Sequence, residues 1–181
     1  MATSRQYPDD IFVEGKFETD EVLDVTDLAA GGTFAQVGAA GPDEARDAID
    51  AAHRAQREMR ETTLVQRAEW LETIADEIES RKEELADIIV REAGKPISSA
   101  RGEVDAAAER FRRAVEEVHD LQGEFLEGTT AGHEGWKAIV KPQPVGTVLC
   151  LTPYNYPLAT TALQVAPAIA GGNSVVLKPA T

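Results

Sequence analysis

The sequence predicts an α/β protein in which a layer of helices is followed by one β-α-β unit of a parallel sheet. Between residues 42 and 123, apolar side chains recur every three to four positions, which is the period of an amphipathic helix. Between residues 145 and 181, two short apolar runs flank a helical segment and a glycine turn, a pattern typical of parallel strands. The length of 181 residues fits one ordinary domain or a piece of a longer protein.

The first 41 residues are predicted to form short strands and turns. The apolar runs at 11–13 and 34–37 are brief, and Gly15, Gly31 and Gly32 punctuate this region. Strands this short need a partner strand to be stable.

The helical layer is predicted to begin at Pro42, because a proline followed by two acidic residues suits the first turn of a helix. A second helix is expected to start near Thr62 or Thr63. The apolar face of this second helix follows the helical period, and the nearby Trp70 is assigned to the core.

Two further helices complete the predicted layer. Ser80 and Glu83 have the spacing of a capping box for the third helix, and Gly94 is expected to end it. The fourth helix is predicted from about residue 98 to residue 121, with Phe111 facing the core.

Two groups of polar side chains are expected to have structural or solvated roles. The arginines of the fourth helix have glutamates beside them, which predicts pairing within that helix. They are Arg110, Arg112 and Arg113. The histidines are scattered along the chain, so no metal site is predicted. They are His53, His119 and His133.

The last part of the chain has the pattern of strands around one helix. Residues 136–141 alternate between apolar and polar side chains, like a half-exposed strand. An apolar strand is predicted at 145–151, a helix at 158–170, a turn at 171–173 and a buried strand at 174–177. Strand, helix, turn and strand in this order make one β-α-β unit.

The chain is strongly acidic, with 32 Asp and Glu against 18 Lys and Arg, a net charge of −14 and a pI near 4.6. Nucleic acids and anionic membranes are therefore not expected as partners, because binding phosphate groups needs a basic surface. Residues 131–181 sum to +2, so residues 1–130 carry −16. Either the helices have a solvated acidic surface, or the protein works in a high-salt cytoplasm, as six lysines against twelve arginines also suggest.

No segment predicts export or membrane insertion. Residues 1–10 are not followed by the apolar run of a secretory signal. The most apolar stretch, 158–177, is interrupted by polar residues, proline and glycine, whereas a membrane span needs roughly 20 predominantly apolar residues in a row. A cytoplasmic protein is therefore expected.

The turn after the first strand of a β-α-β unit is where a parallel sheet positions its ligand. Residues 151–158 contain no glycine, whereas a dinucleotide fingerprint has Gly-x-Gly-x-x-Gly there so that backbone amides reach a diphosphate. Asn155 lies in the middle of this turn. Its side-chain amide is a neutral donor that suits an oxyanion hole, but a helix cap or a turn is the alternative that spacing alone favours.

Five stretches of the chain resemble the aldehyde dehydrogenase superfamily. They are residues 91–96 (Arg-Glu-Ala-Gly-Lys-Pro), 100–104 (Ala-Arg-Gly-Glu-Val), 153–158 (Pro-Tyr-Asn-Tyr-Pro-Leu), 166–173 (Ala-Pro-Ala-Ile-Ala-Gly-Gly-Asn) and 175–179 (Val-Val-Leu-Lys-Pro). The resemblance spans roughly residues 10–181. Members with this turn and a Lys-Pro-x-Thr sequence include enzymes similar to the non-phosphorylating glyceraldehyde-3-phosphate and lactaldehyde dehydrogenases.

The resemblance implies an incomplete aldehyde dehydrogenase fold, in which the helical layer precedes the first β-α-β unit of a Rossmann-like parallel sheet. It divides the chain into N-terminal strands and turns (1–41), the helical layer of the cofactor-binding domain (42–123), an oligomerisation hairpin (124–144) and the truncated start of the NAD(P)-binding sheet (145–181). A homo-oligomer is then expected for the full-length protein, with Trp136 of the hairpin at an interface.

The activity that the resemblance implies is oxidation of an aldehyde to a carboxylic acid with NAD or NADP, through a cysteine thioester. Asn155 matches the side-chain amide that helps to hold the oxyanion. Cofactor contacts are implied for Thr152, Pro153, Tyr154, Lys178 and Thr181. Many NAD-preferring members have a glutamate where this chain has Thr181, and a neutral residue beside Lys178 would admit the 2′-phosphate of NADP.

The family's cysteine nucleophile and catalytic glutamate lie downstream of the Lys178 strand, and Cys150 does not match the nucleophile. Cys150 lies in an apolar strand, where a buried structural thiol is expected. We therefore expect the chain to be a fragment that is inactive alone. The alternative is a non-catalytic helical binding module derived from the family, which should close its sheet rather than expose a strand edge.

Overall fold

The structure, a computed structural model, describes residues 12–13, 16–17 and 21–180. The elements in chain order are β1 (Phe12–Val13), β2 (Lys16–Phe17), β3 (Val22–Thr26), β4 (Thr33–Gly38), α1 (Pro42–Glu61), α2 (Leu64–Ser80), α3 (Lys82–Ala93), α4 (Ile97–Asp120), β5 (Glu124–Glu127), β6 (Lys137–Val140), β7 (Val148–Leu151), α5 (Pro157–Ala170) and β8 (Val175–Lys178). Consecutive strands pair two by two; β7 and β8 are parallel and the other pairs are antiparallel. The predicted α/β class is confirmed.

Helix α4 is the centre of the helical layer and packs against α2, α3 and α5. One buried cluster joins α2, α4 and α5, and its many alanines let the helix backbones approach closely. Its members are Ala68, Leu71, Ala75, Ala107, Phe111, Ala114, Val118, Ala162, Ala166 and Ala170. A smaller cluster joins α3 to α4. Because α5 belongs to the larger cluster, the layer also places the turn that precedes α5.

The predicted helix boundaries are partly confirmed. Thr63 caps α2: its Oγ1 accepts the backbone N–H of Gln66 at 3.1 Å, and the Gln66 side chain accepts the Thr63 N–H at 2.9 Å. Gly94 ends α3 with φ of 64°, a left-handed conformation that glycine adopts readily.

The capping box predicted for Ser80 and Glu83 is wrong. Helix α2 continues through Ser80, whose hydroxyl donates to the carbonyl of Glu77 at 2.9 Å in the last turn of that helix. Helix α3 begins at Lys82 without a side-chain cap. The two helices nearly join, so Ser80 lies in a helical turn rather than at a helix start.

One of the two aromatic core assignments is confirmed and the other is wrong. Phe111 is 4% exposed and belongs to the main cluster, whereas Trp70 is 42% exposed. Neighbouring residues on a helix point about 100° apart. Because Leu71 takes the inward direction and is fully buried, the indole of Trp70 is left at the edge of the layer.

The predicted pairing of the arginines within α4 holds for Arg113, whose guanidinium lies 3.7 Å from the carboxylate of Glu109. It is wrong for Arg110, whose guanidinium donates to the Ala159 carbonyl of α5. It is also wrong for Arg112, which bridges to carboxylates of α2: Glu72 at 3.3 Å, Asp76 at 2.9 Å, and Glu79. Helices α2 and α4 pack side by side, so a long side chain on α4 reaches the neighbouring acidic face.

The β-α-β unit is confirmed as β7, α5 and β8, with the turn 171–173 between α5 and β8. The predicted burial of the second strand is wrong: β8 is half-buried to exposed, with Leu177 42% exposed, because among the described strands only β7 pairs with it. Two side chains of the helical layer hold the turn 171–173. The Gln56 amide donates to the Gly172 carbonyl at 3.0 Å and accepts the Ser174 N–H at 2.6 Å. The buried guanidinium of Arg67 donates to the Ala170 carbonyl at 3.3 Å. Sequence patterns indicated neither contact, because both partners are distant along the chain.

The hairpin of β5 and β6 pairs Glu124 with Val140 through Glu127 with Lys137. It leaves several large apolar side chains exposed, namely Phe125, Leu126, Trp136, Ile139 and Val140. Within the described part of the chain, no helix has the length and apolar character needed to cross a membrane.

Candidate active site

The strands β7 and β8 end at the same edge of their small sheet, because parallel strands in register bring their carboxyl ends together. Leu151 pairs with Lys178, and the Thr152 N–H donates to the Lys178 carbonyl at 3.2 Å. The turn 152–156 leaves the sheet at this edge. The structure therefore brings most of the predicted site residues to one place: Thr152, Pro153, Tyr154, Asn155 and Lys178.

Asn155 lies exposed in the turn between β7 and α5. It does not cap α5: the position before the helix is Tyr156, and no side chain of the turn caps the helix there. The Asn155 side chain makes no hydrogen bond to any residue that the structure describes. The helix cap is therefore not what the fold uses, whereas the turn position considered for Asn155 is the one it occupies. Its side-chain amide has no partner among the described residues and is available to a ligand.

The cap of α5 comes instead from Glu103 of α4, which is 3% exposed. Its Oε1 accepts the backbone N–H groups of Leu158 at 3.0 Å and Ala159 at 3.2 Å, in the first turn of α5. A carboxylate is favourable there, since helix N-termini carry unpaired N–H groups and a partial positive charge. Sequence reasoning missed this residue, because the partners lie 55 and 56 positions apart.

Lys95, in the link between α3 and α4, completes the surroundings of Glu103. Its ammonium group forms an ion pair with the second carboxylate oxygen of Glu103. The same ammonium lies 3.6 Å from the centre of the Tyr156 ring, within the range of a cation–π interaction. The Glu103 charge also affects Glu92, whose pKa is raised by burial and by the nearby Glu103 carboxylate.

A cleft of about 410 Å³ opens beside this network. Polar and cationic groups from α4 line it, including Arg110, whose guanidinium donates to the Ala159 carbonyl. Tyr156, the residue after Asn155, forms part of its wall. A volume of this order accommodates a small organic molecule. Asn155 does not line the cleft, but its chain neighbour Tyr156 does.

The residues at the sheet edge fit a dinucleotide in part. Lys178 is exposed, and its ammonium donates to the Pro179 carbonyl at 2.7 Å, which leaves donors for ribose hydroxyls or a phosphate. The turn 152–156 contains no glycine, so it offers no backbone cradle for a diphosphate. Thr181, the remaining predicted cofactor residue, lies outside the described residues.

Cys150 lies in β7 and is fully buried, as predicted. Burial raises the pKa of its thiol, so the thiolate is disfavoured. No cluster of metal-ligating side chains occurs among the residues that the structure describes. Neither a nucleophile nor a metal centre is therefore found at the described part of this edge.

Comparison with known proteins identifies relatives along almost the whole chain. A sequence profile described as the aldehyde dehydrogenase family matches residues 14–181. A 3,6-anhydro-alpha-L-galactose dehydrogenase of Streptomyces coelicolor is 37% identical over 93% of this chain and 34% of its own length. A lactaldehyde dehydrogenase of Methanocaldococcus jannaschii is 33% identical over 94% of this chain and 36% of its own length.

A solved structure shows the same fold. The NADP-dependent glyceraldehyde-3-phosphate dehydrogenase of Bacillus halodurans, crystallised with NADP, superposes with a TM-score of 0.92 at 34% identity. The superposition covers 97% of this chain and 38% of that one, and this chain spans about a third of the length of the curated relatives. The profile match over residues 14–181 establishes that the chain belongs to the aldehyde dehydrogenase family.

Proposed function

We propose that the chain is part of an enzyme that oxidises an aldehyde to a carboxylic acid with NAD or NADP, through a cysteine thioester. One observation carries the proposal: the Asn155 amide lies exposed at the carboxyl edge of two parallel strands, without a hydrogen-bond partner among the described residues, and the next residue, Tyr156, lines a cleft. Since Cys150 is buried, this proposal requires a different cysteine as the nucleophile, and it leaves both that cysteine and the catalytic glutamate to other residues of the full-length protein.

In this proposal the Asn155 side-chain N–H donates to the carbonyl oxygen of the aldehyde as that oxygen gains negative charge. A neutral amide stabilises the charge without giving up a proton, which keeps the tetrahedral centre anionic. The bound dinucleotide supplies the hydride acceptor. Because β7 and β8 fix the edge from which the turn leaves, the backbone that leads to Asn155 is anchored at the end of β7.

The cofactor side is assigned to Thr152, Pro153, Tyr154, Lys178 and Thr181. The Lys178 ammonium would donate to the ribose hydroxyls, and it suits the 2′-phosphate of NADP by its charge. The relative of known structure was crystallised with NADP, which supports tolerance of this cofactor. The contribution of Thr181 stays a prediction from sequence.

We further propose that the full-length protein is a homo-oligomer that uses the β5–β6 hairpin as an interface. Trp136 and Ile139 are 68% and 72% exposed, and Phe125, the cross-strand partner of Ile139, is 59% exposed. Apolar surface concentrated in this way is typical of an interaction site.

The role of Asn155 is tested by Asn155→Ala in the full-length protein. Loss of one oxyanion donor is expected to lower kcat by about 10²–10³-fold. Steady-state kinetics with a panel of short aldehydes and both cofactors measures the effect. Gln122→Ala, which removes an exposed side-chain amide at the end of α4, is the matched control and should retain turnover. Near-normal kcat in Asn155→Ala would contradict the proposal.

A further inference from the structure

The first turn of α5 is held by a charged group from another helix. Glu103 is buried, and its carboxylate accepts the backbone N–H groups of Leu158 and Ala159. These two residues follow Asn155 by three and four positions. Asn155 itself has no local hydrogen bond to a described residue that would fix it. The direction in which the turn presents its amide therefore depends on where α5 begins.

Lys95 contacts the turn between β7 and α5 at Tyr156. Its ammonium is bound to Glu103 and lies over the ring of Tyr156, the residue directly after Asn155. The Lys95 side chain is only 16% exposed, so both interactions are partly shielded from water and stronger than they would be at the surface. Contacts thus reach the chain at Tyr156, Leu158 and Ala159, all within four residues of the proposed oxyanion donor.

A buried ion pair is not expected to contribute much net stability to a fold. Removing a carboxylate and an ammonium from water is unfavourable, and apolar side chains of similar volume often stabilise a fold as well or better. Helices α3 and α4 are moreover already joined at their surface by the ion pairs of Lys82 with Asp105 and of Arg101 with Glu83. The feature that distinguishes the Lys95–Glu103 pair from these is its contact with the turn that carries Asn155.

We propose that Glu103 and Lys95 are positioning residues, which hold the start of α5 so that the Asn155 amide points at the reacting carbonyl. The inference rests on the proposed role of Asn155 and adds a requirement to it. If the amide is displaced even slightly, it loses its alignment with the developing oxyanion, and errors of this size lower turnover by about 10²-fold in well-aligned sites. The dinucleotide at Lys178 is not expected to be affected.

The experiment uses the full-length protein with Glu103→Gln and Lys95→Met. Glutamine retains an acceptor for the two N–H groups but cannot pair with Lys95, and methionine retains the stem of lysine without its charge. Both variants should lower kcat by about 10- to 10²-fold, while the Kd of the dinucleotide, measured by fluorescence titration, stays at the wild-type value. Lys82→Met breaks the exposed pair on the same two helices and should retain kcat.

Double variants separate positioning from a general structural effect. In the Asn155→Ala background, Glu103→Gln should cause no further loss of kcat, because the group it positions is gone. A loss in that background as large as in the wild type would overturn the inference, as would wild-type kcat in Lys95→Met. If Glu103→Gln does not fold, Lys95→Met and Lys95→Arg decide: the arginine should restore part of the kcat that methionine loses.

The outcomes also distinguish this inference from the proposed function. Normal turnover in Asn155→Ala would refute the oxyanion role itself. Impaired turnover in Asn155→Ala combined with normal turnover in Lys95→Met and Glu103→Gln would refute only the positioning role.

Discussion

At the scale of single residues, the surroundings of Gly172 show how closely the helical layer and the β-α-β unit fit. Gly172 has φ of 77°, and a Cβ atom built there would lie 2.5 Å from the guanidinium carbon of Arg67. Arg67 cannot move away easily, since its side chain is buried and donates to Thr62 and Ala170. Burial also lowers the pKa of Arg67, though arginine stays charged at any physiological pH. Only glycine fits this turn.

Gly172→Ala is therefore expected to destabilise the protein. The left-handed backbone conformation alone disfavours alanine by about 1–3 kcal/mol, and displacement of Arg67 adds to this. Thermal unfolding of the full-length protein, followed by calorimetry, measures the effect. Gly102→Ala is the matched control, because nothing lies within 4 Å of the added methyl group. Because Gly102 lies inside α4, in its second turn, alanine there should stabilise the protein by about 0.5–1 kcal/mol. An unchanged midpoint in Gly172→Ala would contradict the described packing.

Asn155 was predictable from the sequence around it, whereas the role of Glu103 depends on a contact between distant parts of the chain. The turn residues and their order are visible in the sequence, and the structure brings them to one sheet edge as parallel strands require. The cap of α5 was not predictable, because a carboxylate from another helix replaces the local cap that sequence rules describe. No pattern of spacing identifies a partner that is more than 50 residues away.

At the scale of elements, α2 and α4 are joined by a surface network as well as by their core. Arg112 of α4 forms ion pairs with Glu72, Asp76 and Glu79 of α2. The pKa of the Glu79 carboxyl lies below its ordinary value, mainly because the Glu79 carboxylate accepts a hydrogen bond from Arg112. A carboxyl with a lowered pKa in the folded state stabilises the protein above its unfolded pKa, and this stabilisation disappears as the pH falls.

We expect Arg112→Met to reduce the sensitivity of the protein to acid. In the wild type, part of the stability should be lost as the pH falls from the ordinary glutamate pKa of about 4.3 through the lower pKa of Glu79 in the folded protein, where Glu79 becomes protonated and loses its pair. Arg112→Met has already lost this contribution at neutral pH. The difference in Tm between pH 7 and about pH 3.5 should therefore be smaller in the variant.

Arg113→Met is the control for this experiment, because Arg113 pairs with Glu109 of its own helix at 3.7 Å and does not bridge helices. Its acid sensitivity should equal that of the wild type. An Arg112→Met protein with the full wild-type loss of Tm in acid would show that the α2–α4 network makes no contribution.

The helical periodicity of apolar residues predicted the four helices of the layer, but it did not predict all of their ends or which aromatic side chains are buried. The caps at Thr63 and Gly94 follow local rules and were predictable. The start of α3 was not, because α2 runs to Ser80 and leaves one residue between the helices. The exposure of Trp70 was not predictable either. The helical period identifies the apolar face of α2, but packing against α4 decides that Leu71 rather than Trp70 lies in the centre of that face.

At the scale of the whole molecule, membership of the aldehyde dehydrogenase family accounts for the order of the elements from β3 to β8. The helices and the strands of the β-α-β unit could be predicted from local signals, whereas the strand Val22–Thr26 was not predicted and the hairpin of β5 and β6 was expected only from the family resemblance. The residues that join the layers, such as Gln56 and Arg67, could not be predicted, since they act on backbone groups more than 100 positions away.

The 181-residue polypeptide on its own is expected to have no dehydrogenase activity. Its single cysteine is Cys150, which is buried and has a raised thiol pKa, so no thiolate is available to attack an aldehyde. The measurement is NAD(P)H formation by the purified polypeptide with short aldehydes, compared with a reaction without protein. Cys150→Ser should behave identically. Aldehyde-dependent NAD(P)H formation above that of the reaction without protein would overturn this expectation, and its loss in Cys150→Ser would identify Cys150 as the nucleophile.

The position of Lys95 and Glu103 along the chain has a consequence for recombining this protein with its relatives. The two side chains are only eight residues apart, whereas the turn they hold lies more than 50 residues later. A chimaera with a crossover between Glu103 and Asn155 would therefore combine the Lys95–Glu103 pair of one parent with the turn of the other. Libraries that keep both segments from the same parent should contain more active members than libraries that separate them.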